Sequence, residues 1–151
     1  MAAGNFIVYS NALLGVLNGS IDLDTDALRM VLVTDSYTPN QNTHDTWADV
    51  SANEATGTGY TASGKLLTAS LALASNVVTL DADDQTWTSS TITAKYAVIV
   101  RDADGNGTLA STDAVIAYAA LDTATSVSST NADFVVSINA SGVFTVTAAT
   151  S

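Results

Sequence analysis

The chain has no cysteine, a single histidine, a single glutamate and only four basic residues, and each scarcity excludes something. Without thiols there are neither disulfides nor thiolate metal sites, and the redox compartment stays open. The four cations, Arg29, Lys65, Lys95 and Arg101, are scattered. A phosphate backbone needs a cluster of them, so nucleic acid is excluded as a partner. The formal net charge of -11 also disfavours an anionic membrane surface. The apolar run from Phe6 to Leu17 is too short to span a bilayer, and no basic residue precedes it as in a secretory signal. Long soluble helices use Glu, Lys and Arg on their wet face, and this chain hardly has them.

What is present points to strands. Hydrophobic residues make up 47% of the 151 positions, which is enough for a real core and unlike a disordered chain. They are mostly Ala, Val and Leu, and the polar residues are mostly Thr, Ser, Asn and Asp, a mixture of strand and turn formers. The expectation is one mainly β domain over 1–151, an antiparallel β-sandwich or barrel-like fold with one N-terminal helix and a long loop.

The helix is placed at about 5–17, where Phe6, Tyr9, Leu13, Leu14 and Leu17 recur at helical spacing and Asn18-Gly19 supplies a stop. Strands are expected at Leu28–Thr34, Leu66–Ala72, Asn76–Leu80, Ala94–Arg101, Ala114–Leu121, Ala132–Ile138 and Val143–Ala148. "FVVSINASGVFTV" reads as a hairpin around Asn139–Gly142. The 35–64 segment is too long for an ordinary connection, and loops of that length are often functional. Within it, Thr43 is a candidate cap for one helical turn through Trp47 and Val50.

"DADGNGTLASTD" has the spacing of a calcium loop: Asp102, Asp104, Asn106, Thr108 and Asp113 stand at positions 1, 3, 5, 7 and 12, with Gly107 at position 6. Its flanks, "KYAVIV" and "AVIAYAALD", read as strands rather than helices, and position 12 is Asp instead of a bidentate Glu. Two readings follow. One is a hairpin tip in which Gly105 and Gly107 take positive φ. The other is a tip that holds Ca2+ through Asp102, Asp104, Asn106 and Asp113 without EF-hand geometry. The alternating Asp22, Asp24 and Asp26 of "DLDTD" would project from one face of an extended segment, where they either hold a hard cation or, the favoured reading, form a charged, solvated edge that discourages strand pairing; "DADDQTW" is a similar acidic turn.

No catalytic set emerges. His44 has no G-x-S-x-G partner and reads as a surface histidine. "GTGYTASG" lacks the G-K-[ST] of a phosphate loop. Trp47, Trp87, Tyr37, Tyr60 and Tyr96 read as core anchors or interface residues. The expectation is a protein that is not an enzyme and needs no cofactor.

Several segments in order carry a resemblance: "NALLGVLNGSIDLDTDALRMVLVTDSYTPNQNTHDTWADV", "GTGYTASGKLLT", "DADDQTWTSSTITAKYAVIVRD" and "VIAYAALD". Together they run along almost the whole chain, and they resemble a family of tailed-bacteriophage virion proteins. Its members are mostly labelled structural or hypothetical, and some are regarded as head decoration or cement proteins. Relatives tend to have a shorter or different segment in place of "DADGNGTLASTD", so the resemblance carries no calcium role.

The resemblance implies a part of the virion. Its position on the outer capsid surface fits the charge, because -11 would be repelled by packaged DNA. The implied partners are the major capsid protein and further copies of the chain, as a trimer or dimer. The 35–64 loop and the N-terminal segment are the candidate contacts, with Tyr37, Pro39, Trp47 and Tyr60 as interface candidates. The four cations would pair either with acidic capsid patches or with the chain's own aspartates. The alternatives are a tail, neck or fibre component, a glycan-binding sandwich with Trp87 and Tyr96 exposed near the 102–113 tip, and last a glycan hydrolase.

Overall fold

A computed structural model of the chain describes residues 3–150. The strands are β1 (Ile7–Val8), β2 (Ala27–Val33), β3 (Gly57–Thr58), β4 (Lys65–Leu66), β5 (Ala69–Ala74), β6 (Val77–Ala82), β7 (Gln85–Ala94), β8 (Tyr96–Asp102), β9 (Val115–Ala120), β10 (Val127–Ser128), β11 (Ala132–Val136) and β12 (Phe144–Thr147). One helix, α1 (Ser10–Asn18), lies between β1 and β2. The fold is mainly β, with three antiparallel sheets and no closed barrel, so of the two expected architectures the open, sandwich-like one holds.

The first sheet runs β1-β9-β8-β2-β4. Its centre is the most apolar part of the sequence. Met30, Val31, Leu32 and Val33 on β2 and Ala97 to Val100 on β8 are fully buried, as are Val115, Ile116 and Ala117 on β9. Strands buried on both faces lose the alternation of a half-wet strand, which is why "MVLV" and "AVIV" are continuous. The second sheet is built around β7, which pairs with β10, β11 and β3. The third is small, ordered β12-β6-β5.

Three local expectations change. The helix begins at Ser10, because Ile7 and Val8 pair with Tyr118 and Ala117 as a strand. It ends as expected: Gly19 takes φ 78, and the Ser20 amide donates to the Gly15 carbonyl. "FVVSINASGVFTV" is not a hairpin, since β11 pairs with β7 while β12 crosses to β6. Phe134 and Val136 are buried in one sheet's core, whereas β12 extends the other sheet, so each half follows its own apolar face. The ten-residue β7 was not expected at all. Its inward positions include small and polar residues, Ser90 and Ala94, and Ser89 takes φ 47 mid-strand, so the alternation breaks. Ser90 is fully buried and its hydroxyl bonds the Ser129 hydroxyl at 2.8 Å.

Candidate binding face

The 102–113 segment is the connection between β8 and β9, and its tip has Gly105 at φ 64 and Gly107 at φ 90. Its oxygens are largely used within the turn. Asp102 Oδ2 accepts the Gly107 amide at 2.9 Å, and Asp113 accepts the amides of Ala103 and Ala110 at 3.2 and 2.8 Å. Asp104 accepts from Asn106, and Asn106 Oδ1 accepts the Thr108 amide. Asp102 is buried, with Arg29 Nη1 at 3.9 Å from Oδ2. Arg29 also donates to the carbonyls of Ser63 and Gly64, at 2.7 and 3.0 Å. Among the described residues no three His, Cys, Asp or Glu side chains stand together as a metal-ion cluster. The tip is thus a hydrogen-bonded turn stapled to β2 by a cation.

"DLDTD" is not an extended edge. Asp22 accepts the Asp24 amide, Asp26 accepts the Asp22 amide, and the segment turns with Ile21 and Leu23 buried. The backbone donors hold Asp22 below the usual carboxylate range. Asp26 pairs with Arg101 at 2.5 Å. Lys95 donates to the carbonyls of Asp122 and Thr125, and Lys65 to that of Thr86, with its ammonium 5.6 Å from the Trp87 ring centre. All four cations are therefore engaged by their own chain, two of them with its aspartates.

The 35–64 segment is strapped inward. The Trp47 amide donates to Asp113 at 2.7 Å, and the Ala55 amide donates to Leu32 at 2.8 Å. Its short turn is capped by Thr46 rather than by Thr43, in a capping box in which Asp49 accepts the amides of Asp45 and Thr46. These bonds lower the Asp49 pKa. The interface candidates on it are spoken for. Tyr37 is 2% exposed and Trp47 is 5% exposed, so neither offers a free surface. Tyr60 is partly buried and stacks on Trp87, and its hydroxyl donates to Glu54 at 2.9 Å. Pro39 is half-buried. His44 is half-buried too, with Nδ1 2.9 Å from the Tyr37 hydroxyl, which in turn meets the buried Tyr9 hydroxyl at 2.6 Å. Burial raises the pKa of both tyrosines. Trp87 is 1% exposed and lies against Tyr60 and Phe134, so it presents no face for stacking a sugar.

The open apolar surface lies elsewhere, on elements whose role the sequence pattern inverted. In α1 the buried residues are Ala12 and Gly15, not the leucines. A Cβ on Gly15 would stand 2.5 Å from Ile21 Cδ1, so the helix lies close on its glycine. That rotation turns Leu13, Leu14 and Leu17 outward, and Leu17 is 78% exposed. Facing the helix is the third sheet. On one side of it stand Leu71, Leu80 and Phe144 in one row and Leu73, Val78 and Val146 in the next. Leu80 is buried, but Leu71, Leu73, Val78 and Val146 are exposed.

Between helix and sheet runs a groove of about 340 Å³. Its walls are Ala12, Leu13 and Val16 on one side and Leu71, Val78, Leu80, Phe144 and Val146 on the other, with Asp22 the one charged residue among its lining. An apolar face of this continuity marks an interaction surface more than a solvated one. The signal was in the sequence: "ASLALASNVVTL" and "GVFTVTAA" are apolar strands with no charge on either face. Comparisons with protein-family models, curated proteins and solved structures each gave no match.

Proposed function

We propose that this chain is a structural protein of a tailed-bacteriophage virion, a decoration (cement) protein that binds the outer capsid surface and stabilises the shell. The observation that carries the reading is the groove and its exposed rim on α1 and the third sheet, an apolar surface without catalytic groups. The resemblance of the sequence to phage virion proteins supplies the setting. Charge supports the outer side. The chain carries -11, and each of its four cations is bonded to its own carbonyls or carboxylates. Packaged DNA would repel such a surface, while a capsid segment that is apolar with basic flanks would be drawn to it. The partner is therefore the major capsid protein, presenting such a segment to the groove. Many copies on a symmetric lattice would add their weak contacts by multivalency.

The test is to mix the purified chain with capsid shells that lack it and to image them at high resolution. Regular density over the outer surface, with α1 and the third sheet at the contact, is the expected result. A Leu13→Asp/Leu17→Asp variant, altered at exposed positions, should stay folded and leave the shells bare. Density confined to the tail vertex would replace the decoration role with that of a tail or neck component, and no density at all would remove the capsid partner.

A further inference from the structure

The third sheet has an edge that nothing blunts among the described residues. β5 is paired with β6 on one side only. Edge strands are ordinarily protected by charge, proline, a bulge or shortness. β5 reads "ASLALA", with none of these, and the residues from Leu66 to Leu80 include no charged side chain. The other outer strands differ. β1, β3, β4 and β10 are two residues long, β11 carries Asp133 and leads into Ser137, whose carbonyl accepts the Ala3 amide, and the four-residue β12 lies beside Asn5 and Phe6.

The ladder shows which groups are free. At the base of the hairpin the Thr68 carbonyl accepts from the Asp83 amide. Ladder bonding alternates along an antiparallel strand, so Ser70 and Ala72 face β6. Ala69, Leu71 and Leu73 therefore present amide and carbonyl to the open side.

We propose that two copies of this chain pair antiparallel through β5, with Leu71 opposite Leu71 on the twofold axis and Leu73 opposite Ala69 of the partner copy. Three observations select a second copy. The strand is self-complementary: this register joins three outward-bonding residues to three, places a large side chain against a small one, and keeps both leucines on one face. Ser75, with φ 56, ends the strand and disfavours sliding by a further pair. Two chains of -11 each can also meet closely only where neither carries charge, and β5, within the uncharged run from Leu66 to Leu80, provides such a stretch. The product is a continuous six-stranded sheet whose apolar face bears two grooves. The pairing does not depend on the capsid reading, and purified protein alone tests it.

The chain's lack of cysteine makes the register readable. In a bonded antiparallel pair opposite Cα atoms are about 5.5 Å apart, within disulfide range. A Leu71→Cys variant should therefore give a covalent dimer under mild oxidation. A Leu73→Cys variant should not, because its two cysteines would be offset by four residues, roughly 13 Å along the strands. By sedimentation the unmodified protein should have twice the 15.4 kDa chain mass, and dissociation should weaken as salt rises and screens the repulsion. Leu73→Lys, at a position 72% exposed, should give a folded monomer. A 15.4 kDa species at every salt concentration would overturn the proposal. So would cross-linking of Leu73→Cys in preference to Leu71→Cys, or a dimer in which neither cross-links. Should Leu73→Lys fail to fold, the cysteine pair still decides.

Discussion

Arg29 offers the sharpest test of how the 102–113 tip is held. Its side chain is 12% exposed and donates to the carbonyls of Ser63 and Gly64, while Nη1 lies 3.9 Å from Asp102, whose side chain is 0% exposed. Arg29→Met keeps the packing of the stem and removes the charge. It leaves a buried carboxylate whose remaining partner is the Gly107 amide. Breaking a buried pair from one side costs about 3–5 kcal/mol. Asp102→Asn keeps an acceptor for Gly107 and should cost less, about 1–2 kcal/mol. In the double variant no uncompensated charge remains, so its loss should fall short of the sum by about 1–2 kcal/mol. Urea unfolding followed by tryptophan emission gives all three values, because Trp47 and Trp87 are 5% and 1% exposed and must redden on unfolding. Additivity within about 0.5 kcal/mol would refute the reasoning, showing that Arg29 acts through the two carbonyls alone.

Other consequences follow from the same contacts. Burial raises the Glu54 pKa above its ordinary 4.5, so the proton is held more tightly in the folded chain. Protonated Glu54 thus contributes stability that is full below pH 4.5 and is lost as pH rises through the raised folded value. Glu54→Gln should accordingly be at least as stable as the parent at neutral pH, with the difference vanishing near pH 4.5; a difference independent of pH would contradict this. Tyr37→Phe strands the buried Tyr9 hydroxyl and should cost about 1–3 kcal/mol, more than Tyr9→Phe, after which Tyr37 still has His44. Gly15→Val drives a side chain into Ile21 and should cost about 1–3 kcal/mol in urea unfolding. Millimolar Ca2+ should leave the melting temperature unchanged, because the tip's carboxylates already accept from its own amides; a rise that grows with Ca2+ concentration would restore the loop as a cation site.

Much of the fold was legible because its central strands are chemically extreme. "ALRMVLV" and "YAVIVRD" carry unbroken apolar runs that a doubly buried strand requires, and Asn18-Gly19 stops the helix as its conformation demands. β7 was illegible for the opposite reason. Thr, Ser and Ala along "TWTSSTITA" signal neither period, and the partners that make Ser90 acceptable in the core, Ser129 and the Ala132 carbonyl, lie about 40 residues away. The hairpin expected at 132–148 failed because a short polar link between two apolar runs says nothing about which sheet each run joins. Tyr37, Trp47 and Tyr60 were legible as anchors or as contacts, and spacing could not separate the two. The backbone bonds that strap the 35–64 segment to β2 and Asp113 turn Tyr37 and Trp47 inward.

The inversion of α1 bears on function more than any single contact. A helix that served only to cap the sheet would gain by burying its leucines, at about 1.5–3 kcal/mol for each full side chain removed from water. Here Ala12 and Gly15 lie inward, and the approach of Gly15 to Ile21 fixes that rotation. The third sheet repeats the pattern: Leu71, Leu73, Val78 and Val146 share its apolar face, and the isolated chain covers none of them completely. Two elements far apart in sequence thus forgo the same kind of stabilisation on facing walls of one groove. A core defect would not be so placed, since both walls are continuous with the core: Ala12, Ile116 and Leu80 are buried in it, and Phe144 packs against it. The burial withheld in the single chain would be recovered by a partner seated on these walls. The same reasoning explains why a chain of -11 keeps charge off this face of the sheet, since charge there would repel a second copy.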